Sequence, residues 1–257
     1  MEKEFAVVTG ASSGIGYGYC QWLLKQGYHI IGVSRHTEWA KELQQQFPEQ
    51  TIIALSYDLS ISENCYAFFE EIKQYHIVLF INNAGFGKKG LFETIPLADE
   101  LKIINLNIQA VHILTKLFTQ YFIAKKKGRI INISSLAAFF PGPGMATYYA
   151  TKAYVLSLSV AINTELKKTK LPVRVITVCP GATQTAFFKN ADFKNNKTLP
   201  GLMSLEQFIK KSLPKALKVK RKNYLIIGWK NRFLKRLFRI IPQKSSLNYT
   251  YLIQTKD

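Results

Sequence analysis

Tyr148 and Lys152 stand four residues apart in Tyr148-Tyr-Ala-Thr-Lys152, a spacing that puts both on one face of a helix. A free phenol with a pKa of ~10 is a sluggish base at neutral pH, and a neighbouring ammonium favours its ionised form. The pair is therefore a candidate acid–base unit. Spacing alone decides nothing, because a chain with 13 Tyr is expected to hold such a pair by chance, and Tyr121/Lys125 is a second. Context separates the two. Ser135 lies thirteen residues before Tyr148, just past an apolar run of strand length, whereas the matching position before Tyr121 is Ile108. A strand end and the start of the following helix can bring Ser135 and Tyr148 together.

A second group of residues has the chemistry of an anion cradle. Thr9-Gly-Ala-Ser-Ser-Gly-Ile-Gly16 leaves the strand-like run Phe5-Ala-Val-Val-Thr9 and opens a helical segment. Gly10 permits a tight exit, Gly14 lets backbone approach a pyrophosphate, and Gly16 allows close packing of helix on strand. Backbone N–H groups around Ser12, Ser13 and Ile15 then face the anion. A literal G-x-G-x-x-G match falls instead on Gly85-Phe-Gly-Lys-Lys-Gly90, but its sequel does not open a clean helix, so it is set aside. The next strand run ends in Ser34-Arg35-His36, with no acid until Glu38. An NAD site places a carboxylate there, whereas an arginine welcomes a 2′-phosphate through a forked, charge-assisted contact. The expectation is NADP(H) in preference to NAD(H), against the plainer reading of a solvated arginine.

These residues need a frame, and the hydrophobic periods supply one. Strands are expected at Phe5–Thr9, 29–33, 51–55, 77–81, 129–133 and 173–178. Between them lie helical segments at 14–26, 38–47, about 62–75, a long one at about 98–127 ended by Gly128, and 147–168. Continuous β-branched strands alternating with amphipathic helices predict an α/β fold: a doubly wound, Rossmann-like parallel sheet of about seven strands with helices on both faces. Residues 1–228 are read as one dinucleotide-binding and catalytic domain, with 183–204 as a substrate lid. A basic helix (205–219), a short strand (223–227) and a cationic amphipathic segment (231–241) follow, and residues 229–257 are read as a basic amphipathic, helical C-terminal extension.

The ordered set Thr9-Gly-x-x-x-Gly-x-Gly16, Asn82-Asn-Ala-Gly85, Asn107, Ser135, Tyr148-x-x-x-Lys152 and Pro180-Gly181 resembles the short-chain dehydrogenase/reductase family. The resemblance spans residues 5 to about 188. It implies an oxidoreductase that moves a hydride between NADPH and a carbonyl or alcohol substrate. Tyr148 would be the general acid, and Lys152 would lower its pKa and bind the nicotinamide ribose. Ser135 would hold the substrate oxygen, and Asn107 would fix a water passing protons to Lys152, with Asn105 a rival for that place. Asp58 resembles the family's adenine contact but reads equally well as a helix N-terminal acid. Asn83, Ala84 and Gly85 would line the cofactor cleft and support the sheet, Pro180 and Gly181 would line it too, and Thr183 or Thr185 would meet the nicotinamide carboxamide. Within the family, the chain is similar to bacterial NADP-dependent carbonyl and 3-oxoacyl-type reductases. Phe86, Phe139, Phe140, Met145, Phe187 and Phe188 around the expected mouth suit a hydrophobic ketone, aldehyde or acyl chain, or else pack the lid.

Composition bounds what remains. The 257 residues are 47% hydrophobic, so a core is affordable and wholesale disorder is excluded. No apolar run of membrane-spanning length and no signal peptide are read, and three scattered cysteines encode neither disulfides nor a metal site. A cytoplasmic homodimer or homotetramer is expected. The formal charge is +19, and no Asp or Glu occurs between Glu206 and Asp257. The amphipathic segment at 231–241 can lie on an anionic membrane or dock on its own domain or a second subunit. It could also capture an acidic acyl carrier. Nucleic acid is not expected, since aromatics are not interleaved as a stacking platform. A non-catalytic NADPH sensor is the other class considered, and the Ser135/Tyr148/Lys152 set argues against it.

Overall fold

The computed structural model of the chain describes residues 2–187, 191 and 202–255. Phe5–Thr9 (β1) leads through Gly14–Lys25 (α1) to His29–Ser34 (β2), then Trp39–Gln46 (α2) to Ile52–Ser56 (β3), and Ser62–Ile72 (α3) to Ile77–Asn82 (β4). Leu97–Ile104 (α4) and Val111–Ala124 (α5) precede Gly128–Ile133 (β5), and Ala146–Lys168 (α6) precedes Val173–Cys179 (β6). Leu205–Lys218 (α7), Tyr224–Ile226 (β7), Trp229–Ile240 (α8) and Gln243–Thr255 (α9) complete the chain. The strands form one sheet in the order β3-β2-β1-β4-β5-β6-β7, and every pairing is parallel.

Both faces of that sheet are covered, as the unbroken apolar strands require. Ala6 and Val8 of β1 pack with Tyr19 and Leu23 of α1, Leu43 of α2 and Phe208 and Leu213 of α7. Phe5 and Val7 point the other way, into a layer with Phe68 of α3, Phe118 and Phe122 of α5 and Leu166 of α6. The two-residue period of a strand thus assigns alternate side chains to the two layers. Phe80 and Phe118 stack at 3.8 Å in the second layer. Strand order reverses between β1 and β4, and the crevice beyond their carboxyl ends is where such sheets bind ligands.

The long helix expected at about 98–127 is present as one unbroken helical run over 97–124, in which α4 and α5 are joined by a wide π turn, Asn105–Ala110. Within that turn Asn107 is fully buried and hydrogen-bonds the backbone of Phe86 rather than facing solvent. Such widened turns often mark functional positions. The stop signal is corrected. Lys126, at φ 55°, takes the left-handed position, while Gly128 already belongs to β5, where a Cβ would collide with the Phe122 ring at 2.1 Å. Helix α9 falls within the extension read as helical, although the sequence reading placed no separate helix there.

Candidate active site

A cleft of about 960 Å³ runs across the carboxyl ends of the central strands. At one end the turn after β1 is lined by Gly10, Ser12, Ser13, Gly14 and Ile15. Gly10 and Gly14 both have positive φ, 67° and 56°. Gly16 lies beneath the turn and does not face the cleft; a Cβ there would sit 2.1 Å from the Gly10 carbonyl oxygen. Asn83 braces the turn, donating from Nδ2 to the Thr9 carbonyl at 2.9 Å, while the Asn83 and Ala84 N–H groups donate to Thr9 Oγ1. The first turn of α1 carries no acidic side chain, so its positive end faces the cleft unopposed.

Arg35 is exposed at the rim of the same end and makes no ion pair among the described residues. Ser34 is otherwise engaged: its hydroxyl donates to the His36 carbonyl and accepts from Trp39 Nε1. Asp58 lines the cleft, but its Oδ1 also accepts from the Ser60 N–H and hydroxyl at 2.9 and 2.7 Å. Those bonds, helped by the charge of Arg35, hold its carboxyl below the usual range against the cost of partial burial.

At the other end Tyr148 projects from the first turn of α6. Ser135, just past β5, lies near enough to its phenol to influence it and accepts from the Ala137 N–H through Oγ. Burial drives the phenol well above its ordinary pKa, and the Ser135 hydroxyl pulls it only part of the way back. The lowering expected from Lys152 is not among the influences on the phenol in this structure, where burial keeps it protonated. Lys152 stands one turn on, with Nζ 5.8 Å from the Tyr148 ring centre. Its ammonium is buried, donates to the Ile133 carbonyl at 3.1 Å, and is pushed down to about 8 by desolvation. Few acceptors surround a charge so deeply placed, which is how a lysine acquires a proton it can release.

Asn107 lies behind this pair rather than in the cleft wall. Its Nδ2 donates to the Phe86 carbonyl at 2.8 Å and to Thr151 Oγ1 at 3.1 Å, and its Oδ1 accepts from the Phe86 N–H. Gly85 is the contact point: a Cβ there would meet Asn107 Oδ1 at 2.8 Å and Lys152 Nζ at 3.3 Å. Pro180, Gly181, Thr183 and Thr185 line the cleft. Thr185 lies over Gly14, and the Pro180 carbonyl accepts from the Leu136 N–H.

The apolar mouth is only partly as expected. Phe86, Phe140, Met145 and Phe187 line the cleft, with Phe187 5.2 Å from the Tyr148 ring. Phe139 instead packs on Tyr224 and Lys235. Phe188, and most of the expected lid at 183–204, lie outside the described residues. The sequence reading missed the roof of this end. Leu234 and Phe238 of α8 and Tyr249, Thr250 and Gln254 of α9 all line it, and Gln254 Nε2 donates to the Tyr149 hydroxyl at 2.9 Å. Pro242, ahead of α9, was the available start signal. Among the described side chains of α9 the buried ones, Ser246, Thr250 and Gln254, are polar, so no hydrophobic period announced the helix.

Residues 4–196 match the short chain dehydrogenase family. The chain belongs to that family. It is 30% identical over 197 residues to a probable NADP-dependent dehydrogenase of Haemophilus influenzae, covering 75% of this chain and 77% of that protein. It is 29% identical to the very-long-chain 3-oxoacyl-CoA reductase of Rattus norvegicus, covering 98% and 83%. Among solved structures it resembles a short-chain dehydrogenase from Sphingobium yanoikuyae in complex with NADPH, at 28% identity and TM-score 0.80, covering 93% and 97%. The chain is thus an NAD(P)-dependent oxidoreductase acting on small molecules. The residues present fit such a cofactor: an acid-free helix start stands at one end of the cleft, an unpaired guanidinium at its rim, and a phenol–ammonium pair at the other end. Among the described residues no helix is long and apolar enough to cross a membrane, and no cluster of metal-binding side chains occurs.

Proposed function

We propose that the chain is an NADPH-preferring reductase of hydrophobic ketones, aldehydes or 3-oxoacyl compounds. The observation that carries this reading is the convergence of Ser135, Tyr148 and Lys152 at the end of the cleft opposite Arg35, under an apolar roof. The turn from Gly10 to Ile15, packed on Gly16, would hold the pyrophosphate, Arg35 beside Ser34 the 2′-phosphoribose, Asp58 the adenine, and Lys152 the nicotinamide ribose. Asn83, Ala84, Gly85, Pro180, Gly181, Thr183 and Thr185 would shape the wall along which the dinucleotide lies.

Bound NADPH supplies the hydride. Ser135 Oγ holds the substrate carbonyl oxygen in line, and Tyr148, kept protonated by burial, donates the phenolic proton to that oxygen as charge builds on it. Lys152 then restores the proton, with Asn107 fixing a water on the supply route behind Gly85. Phe140, Met145, Phe187 and the roof of α8 and α9 exclude water and bind an apolar chain, in keeping with relatives that reduce long acyl substrates by name. The reading includes a homodimer or homotetramer assembled through the long helices α5 and α6.

The test is Tyr148→Phe. Removal of a positioned proton donor should lower kcat about a hundredfold to ten-thousandfold while NADPH still binds. Retained turnover across a panel of carbonyl compounds, followed by NADPH absorbance, would sink the mechanism.

A further inference from the structure

Helix α8 has two working faces. Asn231, Leu234 and Phe238 point inward; Phe238 stacks on Phe140 at 4.3 Å, and Asn231 abuts Gly181. Lys235 anchors the same side, donating to the Tyr224 hydroxyl and lying over the Phe139 ring at 4.7 Å. The outward face is the unusual one. Trp229, Phe233, Leu237 and Ile240 are 68%, 60%, 37% and 81% exposed and fall within one narrow stripe at helical spacing. Arg232, Arg236 and Arg239 run along one edge of that stripe and Lys230 marks the other, all exposed. Residues 207–256 hold 14 Lys and Arg and no acid.

We propose that this outward face seats the enzyme on an anionic lipid bilayer surface. The proposal deepens the reductase reading by naming where its apolar substrate resides. Three features on the page select a bilayer. The apolar stripe is a convex ridge rather than a pocket, and a ridge of Trp, Phe, Leu and Ile flanked by cations suits the headgroup–acyl boundary. A second copy of the chain would bring the same arginine row against itself in a two-fold contact, between bodies that each carry +19. The inward face of this helix roofs the cleft, so the docked ridge holds the substrate end of the enzyme next to the lipid in which a long-chain carbonyl compound dissolves.

The experiment uses the full chain and vesicles of phosphatidylcholine alone or of equimolar phosphatidylcholine and phosphatidylglycerol. Co-sedimentation should occur with the anionic vesicles, weaken with salt, and weaken about fivefold when a single arginine, as in Arg236→Gln, is removed. Phe233→Asp should abolish it, and a blue shift of Trp emission on binding should vanish in Trp229→Phe. KM for a long-chain ketone held in the anionic vesicles should rise in Phe233→Asp, with turnover of a short soluble ketone unchanged. Equal binding of Phe233→Asp and the parent chain would overturn the proposal. So would equal binding to neutral vesicles, or a Phe233-dependent dimer or acyl carrier protein complex in a chain that ignores vesicles. Sedimentation needs no turnover, so vesicle binding by a chain inactive on every carbonyl compound would count against the reductase reading alone.

Discussion

Arg35 and Lys152 each carry a charge whose surroundings set what it can do. At the rim of the cleft the Arg35 guanidinium is free to fork around a phosphate, a contact worth about 1.5–3 kcal/mol when charge-assisted. Arg35→Asp should therefore weaken NADPH binding at least about tenfold, while NADH changes little or improves, as read by fluorescence titration. Equal losses for both would refute the assignment. Lys152 is instead buried and holds its proton only up to about pH 8. A reduction that draws on that proton should proceed on a plateau below this range and fall above it. Lys152→Arg, which keeps the charge at higher pH, should move the falling limb upward; a limb left in place would assign it to another group. These residue types and spacings were legible in the sequence, because four residues along a helix fix a shared face whatever the fold. The direction of the Tyr148 shift was not, because desolvation depends on what packs around the ring.

At the scale of elements, the site is made by turns meeting at strand ends. Gly85 lets the turn after β4 approach the widened Asn105–Ala110 turn and α6 closely enough for Asn107 and Lys152 to share one neighbour. Gly85→Ala should cost about 1–3 kcal/mol of stability by overpacking. It should also lower kcat if the proposed proton path runs through both displaced groups; a thermal melt and steady-state kinetics separate the two effects. Strands and helices from β1 to α7 were readable from their periods to within about three residues at each end. The π turn within the long helix was hidden, since Ala98 to Lys127 keeps an ordinary helical pattern while one asparagine turns inward to satisfy the Phe86 backbone. Helix ends are similarly local in sequence yet decided by packing. Gly128 reads as a stop, but it serves the close approach of β5 to Phe122.

For the whole molecule, the C-terminal segment closes the architecture. The doubly wound sheet provides a cofactor crevice, and α8 and α9 complete the substrate end above Phe140, Tyr149 and Tyr148. Phe238→Ala should raise KM for a hydrophobic ketone about tenfold, the scale of losing most of one buried aromatic side chain, and leave NADPH affinity intact. Losses in both would mean that the helix supports the fold rather than the pocket. The sequence determined the layered α/β frame, the glycine turn after β1 and the ordered motif set proposed to be catalytic, because strand and helix periods and short motif spacings are carried by neighbours along the chain. Only tertiary structure divided the apolar residues of α8 between an inward roof and an outward ridge, brought Gln254 to Tyr149, and buried Lys152. Each of those follows from contacts between segments far apart in sequence, which leave no period of their own to read.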